Sequence, residues 1–301
     1  MGDSEKVSPT PSKPLSPHNL PQILVFGCGY LGRCVAENAV FSHSRVWATT
    51  RQRSKAQQLS SRGIEPVIAD WTDKRTLCGL PQVDQVLVAV SYDRQGGQSR
   101  YDSQVGGLRN LLDVISPQTR VCYISTTGVY HQTDGSWVDE TSPTRPESEG
   151  GKVHLQAEQL LHQARPNSPW TILRLAGIYG PGRVPRAADV IAGRPIASPQ
   201  DGFLNLIHVE DAAQAVMAAW AQSKHRLFVV SDGCPVVRGE FYREVARQCN
   251  APVPSFIEPA AGDAVRRRST GNKRISNRRM KRDLVAKLKF PTYREGLASF
   301  L

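Results

Sequence analysis

The chain has 301 residues, 40% of them hydrophobic and 22% charged, with a formal net charge of +11. This is an ordinary globular composition, sufficient for one large core with an appended lobe. No run of about 18 apolar residues suits a membrane span, no apolar stretch near the N-terminus suits a signal peptide, and a soluble, cytoplasmic protein is expected.

Residues 1–21 hold five prolines and few apolar side chains. They cannot bury enough surface to offset the entropy of ordering, and they read as a disordered tail. Seven short apolar, β-branched runs follow: QILVFG from Gln22, RVWATT from Arg45, EPVIAD from Glu65, QVLVAV from Gln85, RVCYIST from Arg120, WTILRLA from Trp170 and RLFVVSD from Arg226. Helix-length segments with apolar residues three and four apart lie between them, among them VEDAAQAVMAAWAQ. Strands apolar on both faces and separated by helices predict an α/β fold, a doubly wound parallel Rossmann sheet. Residues 22–177 are expected to form this Rossmann domain, with 205–233 returning to the sheet. Residues 178–204 and 234–301 are expected to form a smaller C-terminal substrate lobe over the carboxyl edge of the sheet, where ligands bind in such folds.

The first run leads into GCGYLG, which places Gly27, Gly29 and Gly32 in the GxGxxG spacing, with Tyr30 and Leu31 between them. A tight turn, a close approach of diphosphate and a helix packed near its strand each require a glycine at one of these positions. The helix N-terminus adds free N–H groups and a positive dipole. After the second run comes TTRQRSK, without an acid; Arg51 there suits a 2′-phosphate, and NADP is expected over NAD. Asp70 and Trp71 end the third run beside the expected adenine, and Ala89 at the end of the fourth completes the cofactor positions.

The fifth run ends in STTGVY, three hydroxyls followed by Tyr130. Together with it, GCGYLG, ADWTD, LRLAGIYGPGR, NLIHVEDAAQA, KRISNRRMKRDL and FPTYREGL resemble the extended short-chain dehydrogenase/reductase family of sugar-nucleotide epimerases, dehydratases and reductases. The resemblance spans most of the chain after residue 21. It implies that Thr126 contacts the substrate oxygen and that a Tyr with a Lys four residues later carries the proton. That pair is absent: in EGGKVHLQAEQLL the Tyr position falls on Gly150 and the Lys position on His154. The chain is thus similar to atypical members that lack the pair. His154, which titrates near neutrality as a free side chain, and Tyr130 are the substitute acid/base candidates, with Lys152 and Tyr179 in reserve.

Tyr179, Arg183, Arg274 and Arg278 are expected to bind a small, anionic or sugar-nucleotide-type substrate. Arg174 suits either the site or a structural ion pair, and His208 is expected to anchor the turn before its helix. From Arg266 to Lys289 there are eleven Lys or Arg and one acid, Asp283. This segment suits an anionic ligand or a solvated surface better than nucleic acid, since no aromatic residues interleave it as in a binding signature. No metal site is expected, because the six cysteines show no metal-ligand spacing. The alternative to an enzyme is a catalytically inactive NADP-binding sensor; a homodimer is left open.

Overall fold

The computed structural model describes residues 20–221, 225–258 and 271–301. The first 19 residues of the expected tail, and Arg266–Thr270 of the basic segment, lie outside the described residues.

All seven apolar runs form strands: β1 (Gln22–Phe26), β2 (Arg45–Thr50), β3 (Glu65–Ile68), β4 (Gln85–Val88), β5 (Arg120–Thr126), β6 (Trp170–Leu175) and β7 (Leu227–Val230). They make one sheet in the order β7-β6-β5-β4-β1-β2-β3, with every pairing parallel. The order reverses between β1 and β4, and ligands bind in the crevice outside the carboxyl ends at such a switch point. Along β1 the side chains alternate. Ile23 and Val25 enter a core shared with α1 (Tyr30–Phe41) and α5 (Val209–Ala221), whereas Leu24 and Phe26 enter the opposite core beneath α3 (Gly107–Val114) and α4 (Glu149–Ala164). The fold is therefore α/β, with both sheet faces covered. Among the described residues no helix is long and apolar enough to cross a membrane.

A separate core holds the second lobe, where Tyr179, Val190 and Ile196 pack on Phe241 and Val245 of α6 (Arg238–Gln248) and on Leu297 of α8 (Tyr293–Ala298). The C-terminal segment is not all lobe. Met280 of α7 (Arg278–Asp283), Val285 and Leu288 pack into the α1/α5 core, and buried Asp211 accepts the backbone N–H groups of Lys289 and Phe290 at 2.6 and 3.0 Å.

The start of α1 is set by sterics. A Cβ on Gly27, whose φ is +93°, would stand 2.6 Å from the Ala89 carbonyl, and a Cβ on Gly32 would collide with the Gly27 carbonyl oxygen. A Cβ on Gly29 would meet nothing within 4 Å. Gly32→Ala is accordingly expected to cost about 1–3 kcal/mol by overpacking, and Gly29→Ala under about 1 kcal/mol, as read by chemical denaturation.

Candidate functional site

A cavity of about 660 Å³ opens along the carboxyl ends of β1 to β4. Gly27, Gly29 and Tyr30 line it from β1 and α1, Arg51 from β2, Asp70 and Trp71 from β3, and Ala89 from β4. Seven of the nine expected cofactor residues thus line one cleft. Leu31 faces the core behind it, and Gly32 acts by letting α1 close on β1. No side chain caps α1, whose N-cap Gly29 and first residue Tyr30 line the cleft, so its first-turn N–H groups have no side-chain partner there. The open space at Gly29 and this uncapped turn suit a diphosphate.

Within the cleft the side chains differ in their freedom. Trp71 is 4% exposed and stacks on Phe26 with ring centroids 5.9 Å apart, so its ring is a buried wall. Asp70 Oδ1 accepts from the N–H and hydroxyl of Thr72 at 3.0 and 2.7 Å, leaving Oδ2 toward Arg51 Nη1 at 4.0 Å. The Tyr30 hydroxyl donates to the Pro181 carbonyl at 3.0 Å, and the Arg183 guanidinium lies 5.4 Å from the Tyr30 ring. These contacts tie the N-terminus of α1 to the entry of the second lobe, and they bring the exposed Arg183 near the cleft.

The acid/base candidates are held differently from their expected roles. Thr126 Oγ1 accepts from the Gly128 N–H at 3.0 Å and caps the turn Thr127–Val129. His154 Nδ1 is 3.0 Å from the Tyr123 hydroxyl, and burial pushes the imidazole down to about 4. A ring with that value is neutral at pH 7, so the expected titration near neutrality is not what this environment supports. Tyr130 is 3% exposed; its hydroxyl accepts from Arg174 Nη1 at 3.0 Å, and burial pushes the phenol up to about 12.

Arg174 takes the structural role. Its Nε and Nη2 donate to the two oxygens of Glu158 at 3.0 and 2.6 Å, while the Ser125 hydroxyl donates to Glu158 Oε1 at 2.5 Å. Both charged side chains are almost fully buried, which is tolerable because the pair is bidentate and further hydrogen-bonded. Tyr179 is fully buried in the lobe core, where its hydroxyl donates to the Thr292 carbonyl at 3.4 Å, so packing, not ligand contact, accounts for it. His208 anchors its turn as expected, with Nδ1 accepting from the Glu210 N–H at 3.3 Å and the ring 4.0 Å from that of Phe290.

A second cavity, of about 510 Å³, lies at the carboxyl end of β7 and is lined by Asp139, Ser142, Gly233, Asn277 and Arg278. Arg278 is exposed on its rim. Arg274 is instead fixed, its Nε donating to the Gly135 carbonyl at 2.7 Å and its guanidinium lying 5.4 and 5.2 Å from the Trp137 and Phe203 rings. Much of the described basic segment is likewise engaged with the fold. Lys273 Nζ donates to the Tyr130 carbonyl at 3.0 Å, Arg279 pairs with Glu140 at 3.6 Å, and Lys289 with Glu210 at 2.5 Å.

Two groups at the strand end escaped sequence reasoning. Arg100 stacks on Tyr92 at 4.4 Å, its buried Nε makes no hydrogen bond but stands 3.6 Å from Glu149 Oε2, and its Nη1 would lie 3.4 Å from a Cβ on Gly150. The Thr126 turn touches the adjacent Gly151, so Arg100 and Thr126 converge on the first turn of α4. The second is Lys273, whose pKa burial lowers. Arg100 belongs to no motif, and Lys273 opens the KRISNRRMKRDL segment without a role of its own there; both are placed by tertiary packing.

A family model, the NAD dependent epimerase/dehydratase family, matches residues 23–230. The chain belongs to this family. It is 27% identical over 248 residues to Protein YeeZ of Escherichia coli, covering 78% of this chain and 86% of that protein. A solved structure of a conserved protein of unknown function from Silicibacter pomeroyi is 29% identical, with a TM-score of 0.75 and coverage of 93% and 97% of the two chains. The UDP-Glc/GlcNAc 4-epimerase of Campylobacter jejuni shares the fold at 18% identity, with a TM-score of 0.77 and coverage of 93% and 97%. An NAD-dependent, epimerase-like protein is the function class of this family.

The depressed value of His154 has a measurable consequence. The unfolded chain, with a value near 6.5, binds this proton more readily than the folded one, so the stability contributed by the neutral ring is present above about pH 6.5 and is lost as pH falls toward 4. Between pH 7 and 5 the wild type is expected to lose up to about 2 kcal/mol more stability than His154→Gln, measured by denaturant titration at each pH.

Proposed function

We propose that the protein is an NADP-binding enzyme of epimerase/dehydratase or reductase type, acting on a small anionic or sugar-nucleotide-type substrate with non-standard acid/base residues. The observation that carries this reading is the cleft at the β1/β4 switch point. It combines an open Gly29, an uncapped helix N-terminus and Arg51 at the end of β2. A bound nicotinamide dinucleotide supplies hydride exchange. The chain's own residues hold its phosphates, orient the substrate and manage the proton.

With Tyr130 locked by Arg174 and His154 held neutral, the proton-handling groups are sought elsewhere at the strand end. Thr126 orients the substrate oxygen through its hydroxyl. Arg100 stabilises developing negative charge there through its guanidinium. Lys273, whose Nζ reaches the Tyr130 carbonyl just beyond this strand end and whose ammonium burial disfavours, takes the proton-exchanging role in this reading. The anionic end of the substrate lies in the second cavity against Arg278, on the same carboxyl edge of the sheet as the cofactor cleft. The six free thiols suit a reducing compartment, the cytoplasm.

A second reading, an NADP sensor without turnover, is favoured by one observation: Tyr130, His154 and Tyr179 are all engaged in internal packing or hydrogen bonds. The two readings share the cofactor and differ in turnover. Titration with NADPH and NADH, followed by fluorescence, is expected to give tighter binding of NADPH. Arg51→Ala should weaken NADPH on the order of tenfold and leave NADH nearly unchanged. Failure of either nucleotide to bind would remove the cofactor reading. NADPH binding without hydride transfer to any of a panel of nucleotide-sugar and carboxylate substrates would favour the sensor.

A further inference from the structure

Arg51 is already engaged at the mouth of the cleft. Its Nη2 donates to Asp93 Oδ2 at 2.7 Å, and its Nη1 stands 4.0 Å from Asp70 Oδ2. Both acids are pinned on their own loops. Asp93 Oδ1 accepts from the Gln95 N–H at 3.0 Å, as Asp70 Oδ1 does from Thr72. Neither carboxylate can follow the guanidinium if it swings toward a ligand without disturbing its own turn. Asp93 also lines the cofactor cleft, from the loop after β4, opposite the end of β2 that carries Arg51.

We propose that Asp93 is a specificity-determining residue of the cofactor cleft, competing with the 2′-phosphate of NADP for Arg51 and thereby narrowing the preference for NADP over NAD. The proposal rests on reading the cleft as a dinucleotide site. A phosphate monoester carries nearly two negative charges near neutrality and offers acceptors suited to bidentate guanidinium binding. To use Arg51 it must displace the Asp93 bond, and it then lies close to two carboxylates. A ribose 2′-hydroxyl makes no such demand, because it is neutral and can leave the Arg51–Asp93 pair intact. The acid therefore loosens the phosphorylated cofactor selectively. Because the two side chains are 54% and 41% exposed, solvent screens the competition, and its effect is modest.

Asp93→Asn tests this directly, since the amide oxygen can still accept from the Gln95 N–H while the negative charge is gone. Dissociation constants for NADPH and NADH would be measured by calorimetry at one fixed ionic strength for the wild type, Asp93→Asn, Arg51→Ala and the double variant. Denaturation midpoints would verify that each is folded. NADPH is expected to bind Asp93→Asn on the order of 3- to 10-fold more tightly, with NADH within about twofold, and the gain should vanish when Arg51 is absent. If Arg51→Ala weakens NADPH selectively but Asp93→Asn leaves it unchanged or weaker, Asp93 is not the competitor and the cofactor reading survives. A gain that persists in the double variant would also overturn the competition, since it would then be a general charge effect. If Arg51→Ala does not alter NADPH binding, both the competition and the placement of the 2′-phosphate fall together.

Discussion

The Gly27 carbonyl oxygen occupies the place a side chain at residue 32 would need, and the rest of the cofactor cleft depends on that contact. It lets α1 start directly behind β1, with its first turn aimed across the carboxyl end of the sheet. The same turn is crowded from the other side by the Ala89 and Val90 backbone, so the loop is fixed between two adjacent parallel strands. Gly29 is left facing open space. A diphosphate-sized approach to the backbone is therefore a product of packing between β1, β4 and α1, with no flexible loop required.

A buried polar network organises the neighbouring half of the sheet. Glu158 on α4 receives Arg174 from β6 and Ser125 from β5, and Arg174 continues to Tyr130. Such a network is satisfied only if helix and strands keep one arrangement, because loss of any member leaves a buried polar or charged group without a partner. It also accounts for the chemistry that is missing. Tyr130 serves the network, His154 pairs with Tyr123 in the layer between α4 and β5, and the Tyr position at Gly150 faces the Arg100 guanidinium. In the enzyme proposed here a guanidinium, a hydroxyl and a partly buried ammonium stand in for the usual acid/base groups.

The sheet was legible because its strands are apolar, β-branched runs, buried along most of their length except at the half-exposed edge strand β3, a pattern that needs no tertiary information. The glycine loop was legible for a similar reason: its three glycines, two of them sterically required and the third facing open space, fall within six consecutive residues. The side-chain roles were harder to read. His154 is ordinary by type, and only Tyr123, 31 positions away, and burial beneath α4 make it neutral. Arg174 offered two roles in the sequence, and Glu158 decides between them. The Arg51–Asp93 bond joins residues 42 positions apart, so no local motif could reveal that the expected phosphate ligand has an internal partner. The basic segment read as a ligand or solvent face, whereas Arg274, Arg279 and Lys289 use their charge to fasten the C-terminal segment to the fold.

As proposed, the cleft at the β1/β4 switch point is a dinucleotide site whose phosphate contacts come from the α1 N-terminus and Arg51. A crystal structure determined with NADPH is the sharpest test. The diphosphate is expected over Gly29 and the first turn of α1, with the 2′-phosphate on Arg51 and the Arg51–Asp93 bond broken. A nucleotide bound outside this cleft, or one lying in it with its diphosphate away from Gly29, would overturn that assignment.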